Sequence, residues 1–161
     1  MLLPQVLEMV RQVGRVMPVP GHGGAVRFAN DNIYMAIALR NGGSGIAVIH
    51  GWYAAVRDRV GDDPPSVEDF RRQQLDLYIP AGDTGFWQGA IRDSADPAYE
   101  SVRAAVETGN RVIVDVLYGD HEGGQRTITR FAISDWPEVQ GERTQVLRHW
   151  NVDRHDPRDV R

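Results

Sequence analysis

Residues 111–133 read RVIVDVLYGDHEGGQRTITRFAI, and the reading of this stretch decides the fold. In its first half Val112, Val114, Val116 and Tyr118 alternate against Ile113, Asp115 and Leu117. In its second, Thr127, Thr129, Phe131 and Ile133 alternate against Ile128 and Arg130. A period of two belongs to a strand whose successive side chains point to opposite faces. Both runs are rich in β-branched and aromatic residues, and only a short Gly-Gly segment parts them, so the stretch predicts a β-hairpin.

The flanks continue in the same manner. Downstream, TQVLRHWNV predicts a last strand, followed by a tail, DRHDPRDVR, that is too polar to pack. Upstream, Asp96-Pro97 opens a helical turn through ESVRAAVE, where proline suits the first helical position and Gly109 the stop. LDLYI and TGFWQGAIR predict two strands joined by a tight connection at PAGD. Before them RDRVGDDPPSVEDFRRQQ is a polar excursion, with Ser66 and Asp69 spaced like a capping box ahead of a short helix.

From Ala25 the period is two. In IYMAIALR the larger side chains Ile33, Met35, Ile37 and Leu39 share one face, and Tyr34, Ala36, Ala38 and Arg40 the other. Asn41-Gly42-Gly43-Ser44-Gly45 breaks the strand and IAVIHGWYAAV resumes it to about Val56, giving two adjacent strands. The N-terminal run LLPQVLEMVRQVGRV instead has Leu3, Val6, Leu7, Val10 and Val13 at helical spacing. It predicts an amphipathic helix from about Pro4 to Arg15, ended by Pro18 and Pro20. The GHGG loop that follows leads from a helix into a strand, the reverse of a phosphate-binding P-loop.

These elements divide the chain into an N-terminal helix and linker (1–20), a β domain (25–152) and a polar tail (153–161). Short strands with turn signals between them predict an all-β fold, an antiparallel β-sandwich with one or two short inserted helices. Immunoglobulin-like topology is the preferred specific form; a closed barrel or jelly roll fits the strand count nearly as well.

Composition removes several chemistries. The 161 residues contain no cysteine, which excludes disulfides, thiolate metal sites and a cysteine nucleophile. All 18 basic residues are arginine, so Schiff-base lysines are excluded too. A net charge of -4 with scattered arginines speaks against nucleic acid as partner. No window has the apolar length of a membrane span, and the N-terminus lacks the pattern of a signal peptide.

Polar chemistry concentrates at the hairpin turn, where Asp120, His121 and Glu122 precede Gly123 and Gly124. Consecutive residues of a strand alternate faces, so the triplet lacks metal-ligand spacing. Its plain reading is a turn in which the glycines supply positive φ, Asp120 accepts backbone hydrogen bonds, and His121 and Glu122 are solvated. The alternative is a metal-dependent enzyme in which His121 joins neighbouring carboxylates, with His50, His121 and His149 as the histidine set. None of the five serines lies in a nucleophile elbow. Among the aromatics, Phe86 and Trp87 must face opposite ways, so one of them is expected outside the main core. Trp87 is the preferred exception, with Arg92 and Arg126 able to stack near it.

The strings NGGSGIAVIHGW, LYIPAGDTGFWQGAIRD, LYGDHEGGQRTITRF and RHWNVDR resemble a family of uncharacterised actinobacterial proteins over roughly residues 33–154. The resemblance implies a soluble immunoglobulin-like domain behind membrane-associated or helical N-terminal segments, and brings no catalytic residues with it. The expectation is a non-catalytic interaction or accessory domain that binds protein or a small ligand through Trp87, Tyr118, Asp120, His121, Glu122 and Arg126, without a cofactor. The protein is expected in the cytoplasm or as the soluble domain of a membrane-associated parent, and the N-terminal helix leans the oligomeric state toward a dimer.

Overall fold

Alternation gives each strand one apolar face, and the chain buries those faces by stacking two antiparallel sheets. The computed structural model describes residues 23–56, 61–134 and 144–155. The expected helix over Pro4–Arg15 and the tail from 156 onward lie outside the described residues. The smaller sheet has three strands in the order β1 (Gly24–Ala29), β2 (Asn32–Arg40), β5 (Thr84–Ile91). The larger has five: β4 (Arg71–Ile79), β3 (Ala47–Val56), β6 (Val112–Asp120), β7 (Arg126–Ile133) and β8 (Thr144–Asn151). The all-β antiparallel sandwich read from the sequence is the fold found.

The faces fall as the alternation requires. Ile33, Met35 and Ile37 of β2 meet Val112, Val114 and Val116 of β6, and Phe131 and Ile133 of β7, in the core between the sheets. Tyr34 and Ala36 point the other way and join Ala25 and Phe86 in a second cluster on the outer side of the smaller sheet. The hairpin over 112–133 forms as expected, with Val116 opposite Thr129 and Tyr118 opposite Thr127.

Connectivity departs from the expectation at three places. The alternation that begins at Ala25 contains two strands, because Asn30 and Asp31 adopt φ of 50° and 62° and reverse the chain between β1 and β2. That is the two-residue turn whose twist matches its flanking strands, and asparagine and aspartate tolerate it best after glycine. β2 and β3 are not sheet neighbours, since the loop Asn41–Gly45 carries the chain from one sheet to the other. The turn at Pro80–Asp83 does the same between β4 and β5. Asn41 ties the two crossings together: its Nδ2 donates to the carbonyls of Gly45 (2.7 Å) and Ile79 (2.8 Å), and its own carbonyl accepts from the Gly82 amide at 2.8 Å.

The predicted helix near Pro97 is α1 (Tyr99–Glu107), started by Asp96, which accepts from the Ala98 amide at 2.9 Å. It ends at Gly109, whose φ of 70° closes the last turn. Tyr99 packs edge-on against Phe28 and donates its hydroxyl to the Asp31 carbonyl at 2.7 Å, so α1 covers the end of the sandwich where β1 turns into β2. The second expected helix is a single 3-10 turn, Val67–Asp69, and Ser66 makes no capping bond there; its hydroxyl goes to the Glu68 carboxylate.

A buried ion pair sits on the outer face of the larger sheet. Arg130 and Asp115 are cross-strand partners with bonds of 2.8 and 2.9 Å, and the guanidinium also donates to the Gly61 carbonyl at 2.7 Å and lies 4.8 Å from the Trp150 ring. Burial pushes the Asp115 carboxyl up from its ordinary value while Arg130 opposes the shift. Removing one member strands the other in a dry site, which costs about 3–5 kcal/mol, whereas replacing both with apolar residues of similar volume is often close to neutral. Arg130→Met is therefore expected to lose about 3–5 kcal/mol in urea unfolding, and Asp115→Leu combined with Arg130→Met far less; equal losses would refute this account of the pair.

Candidate functional site

The hairpin tip resolves as a turn. Asp120 accepts from the Gly124 amide at 2.9 Å, and its carbonyl accepts from the Gly123 amide at 3.1 Å. Of the two glycines only Gly123 has positive φ, at 74°; at Gly124 a methyl group would lie a tight 3.3 Å from an Asp120 carboxylate oxygen. His121 and Glu122 are exposed. Arg126 is tied to Asp153, which accepts from its backbone amide at 2.8 Å and from its guanidinium at 2.8 Å. Residue 153 is thus anchored where a loose tail was expected. The Arg126 guanidinium in turn holds the Asp153 carboxyl below its ordinary value.

The histidine set of the metal alternative does not assemble. His50 is the bulge residue of β3 and its Nε2 stands 3.1 Å from where a side chain on Gly119 would begin, on the outer face of the sheet. His149 is opposite Thr129 on the other face, where its Nδ1 is 2.7 Å from the Thr129 hydroxyl. Thr129 in turn bonds the Tyr118 hydroxyl at 2.9 Å, which places the half-buried Tyr118 in a hydrogen-bond chain with Thr129 and His149. Among the described residues no three His, Asp or Glu side chains are grouped to hold a metal ion.

Trp87 is corrected more sharply. Its ring is 0% exposed and packs edge-on against Trp52 at 5.4 Å between ring centres, so it offers nothing to a partner. Phe86 is the member of the pair outside the main core. Arg92 stacks on Tyr34 at 5.8 Å, not on Trp87.

The concave site lies elsewhere, along the side where β4 and β5 end their respective sheets. The two strands touch near their shared turn, where Gly85 lets Ile79 and Leu77 approach: a methyl group at Gly85 would be 2.7 Å from the Ile79 side chain. From there they diverge. On β4 the four residues Gln73–Asp76 stand opposite the single residue His50 of β3, an excess of three that breaks the ladder. The result is a groove of about 480 Å³, within the range of about 300–1,000 Å³ typical of ligand sites. Trp52 and Phe86, Gln73, Gln74 and Gln88, and Arg72 and Arg92 are among the residues that line it.

At the far end the groove is closed by Arg71 and Asp96. The Arg71 guanidinium lies 4.9 Å above the Trp52 ring and forms a two-pronged pair with the Asp96 carboxylate, one arm at 2.6 Å. That hydrogen bond holds the Asp96 carboxyl below its ordinary value. Arg72 and Arg92 have no acidic partner among the described residues, and the Gln73 Oε1 is buried without a donor. The arrangement offers positive charge, amide donors and acceptors, and aromatic surface, with no nucleophile-base pair in its lining.

None of this was foreseen from residues 57–77, where the run RRQQ reads only as polar. Two arginines and two glutamines directly ahead of a strand were the available signal, and the break in β4 hid their period.

Two expectations follow. Gly123→Ala puts a side chain at φ 74° and is expected to cost about 1–2 kcal/mol, whereas His121→Ala changes stability by less than about 0.5 kcal/mol in denaturant unfolding. Because the Asp96 carboxyl is depressed in the fold, its pairing stabilises the protein above the ordinary carboxylate value and is lost as pH falls through the folded one. Asp96→Asn is accordingly expected to be less stable than the parent at neutral pH and to converge with it as acid titrates the depressed carboxyl; a gap that stays constant down to acid pH would contradict the assignment.

No protein-family model and no curated protein matches the sequence. Among solved structures, a protein from Archaeoglobus fulgidus is similar at 9% identity and a TM-score of 0.33, over 82% of this chain and 95% of that one, a likeness that carries no argument.

Proposed function

We propose that the protein is a non-catalytic binding module, a β-sandwich of immunoglobulin-like topology that takes a protein segment or small ligand into the groove between β4 and β5. The topology is supported by the strand orders. An immunoglobulin-like sandwich has one sheet containing A, B and E and another containing C, F and G. Here β1-β2-β5 and β3-β6-β7 occur in those orders, with β4 beside β3 and β8 as an addition beyond β7. A buried tryptophan on the strand in the C position, Trp52, fits the same pattern.

The observation that carries the binding role is the groove itself. It brings Arg72 and Arg92, which have no acidic partner among the described residues, into one lining with Trp52 and Phe86, whereas Arg71, Arg103, Arg126 and Arg130 are paired with Asp96, Glu107, Asp153 and Asp115. Arginine and tryptophan together are the residues most often found at the centre of binding surfaces. Unlike the hairpin tip, which is convex and bonded to itself, the groove has room for a partner.

A mixed library of small carboxylates, amides and short peptides, titrated into isotopically labelled protein, tests the reading. The expected outcome is that hits shift the Trp52 indole and the Gly89 and Ala90 amides and leave His121 and Glu122 unmoved. Hits confined to the hairpin tip would overturn it.

A further inference from the structure

We infer that the groove is the seat of an added β-strand: an extended peptide with acidic side chains on one face, pairing with the open edge of β5. This rests on the binding role proposed above and specifies its partner. The argument begins with what the smaller sheet lacks. In the constant-type immunoglobulin arrangement a fourth strand, D, follows E at the sheet edge. In this chain β4 runs directly into β5 through Pro80–Asp83, and β5 is the end of its sheet. The groove lies on the side where that fourth strand would pair.

The edge of β5 is suited to pairing. It runs in unbroken register against β2 from Thr84 to Ile91, so its backbone is regular, and it carries no proline to remove a donor. An edge strand presents a row of unpaired amides and carbonyls, which an extended peptide completes by main-chain hydrogen bonds. Gly89 borders the groove, and the core fixes it as glycine. A methyl group there would lie 2.7 Å from the Trp87 ring and 3.1 Å from the Trp52 ring.

The opposite wall is chemically matched to a backbone. Glutamine offers one acceptor oxygen and two donor hydrogens, the complement of a peptide unit, and Gln73 and Gln74 of β4 and Gln88 of β5 all line the groove. The buried Gln73 Oε1 accepts no hydrogen bond within the described residues, which leaves this side chain an acceptor to offer a peptide amide once it turns into the groove. The excess of three residues in β4 pushes this wall away from β5 and leaves the gap.

Charge selects the side chains. In a strand successive side chains alternate, so one face of the added peptide lies with Phe86, Gln88, Ala90 and Arg92, the face of β5 turned away from the main core. Carboxylates on that face meet Arg92, and Arg72 stands at the β4 rim; guanidiniums bind carboxylates in two-pronged fashion. Among the described residues Asp76 is the one carboxylate in the lining and Arg71 is already neutralised by Asp96, which leaves their sum positive. From Phe86 of β5 to Arg92, just past the strand's end, the groove-lining stretch spans about 20 Å at about 3.3 Å per residue, enough for roughly six residues of peptide.

The experiment uses the full chain, isotopically labelled, and a blocked hexapeptide alternating Glu and Val, with three comparison probes: the same peptide N-methylated at alternate residues, its Gln-for-Glu analogue, and glutarate. The acidic peptide is expected to shift the Gly89 and Ala90 amides. N-methylation on the pairing edge should weaken it by about tenfold or more, as should the Gln analogue, and Arg72→Gln with Arg92→Gln should remove the difference between the Glu and Gln peptides. Equal affinity of the methylated peptides in both registers would overturn strand addition. Equal affinity of the Gln peptide would overturn the acidic preference. If glutarate shifts the same amides and no peptide does, the inference falls and the binding role of the groove stands. If no probe, and no member of the wider library, moves groove resonances, both fall.

Discussion

The contact between Trp52 and Trp87 is the constraint on which the two-sheet arrangement turns. One ring comes from the larger sheet and one from the smaller, and they meet edge to face at 5.4 Å in the middle of the sandwich. Such a pair contributes about 0.5–1.5 kcal/mol beyond the area it buries, and its bulk dictates what surrounds it. Gly89 must be glycine because both rings occupy the space of its absent side chain. Trp52 has a second duty as the surface beneath Arg71 and part of the groove wall. The core and the candidate site therefore share a residue, and a change that loosens one is transmitted to the other through a single ring.

Alternation was legible wherever a strand lay half-buried between the core and an outer cluster. The faces of β2, β6 and β7 were assigned residue by residue from their period, because one row of side chains meets the opposite sheet and the next does not. The same property hid the first hairpin, since the alternation passes through Asn30-Asp31 without a glycine or proline to mark the reversal. Which sheet each strand joins was not legible at all. A tight turn such as PAGD reads as a hairpin, yet the chain uses it to change sheets, and only long-range packing decides between those outcomes. The site failed for a related reason. Its hairpin tip was conspicuous because charges cluster in sequence, while the groove is assembled from 71–77 and 86–92 and exists only once two sheet edges stand side by side.

The outer face of the larger sheet shows that polar residues inside an alternating pattern need not mark function. Asp115 and Arg130 occupy outward positions that would be solvated on an open sheet. Here the segment containing Gly61, Val67 and Phe70 comes over that face, packing with Leu117, Ile128 and Trp150. Under that cover the two residues pair across neighbouring strands, each satisfying the other, and Arg130 also serves the Gly61 carbonyl. Since Asp115 can face only one residue of β7 in this way, the pair also ties the hairpin to a single register, which an apolar pair of equal size would not do.

The treatment of the sheet edges argues for a recessed docking strand. An open, regular edge invites indiscriminate pairing, and proteins blunt such edges with bulges, charges or a covering segment. β4 is broken by its three-residue excess, and β8 has a register shift beside Arg148. At β1, Gly24 lies against Thr144, and Phe28 lies under Arg103 and Tyr99 of the helix. Among the described residues, β5 is the edge strand that combines an unbroken ladder with no such blunting, and its edge is set back behind the displaced β4 and the Arg71–Asp96 pair. Recessing an edge in place of destroying it preserves its hydrogen-bonding groups while restricting access to a chain narrow and extended enough to enter. The guanidiniums at the rim then discriminate by charge, so that shape and electrostatics together supply the selectivity that backbone pairing lacks.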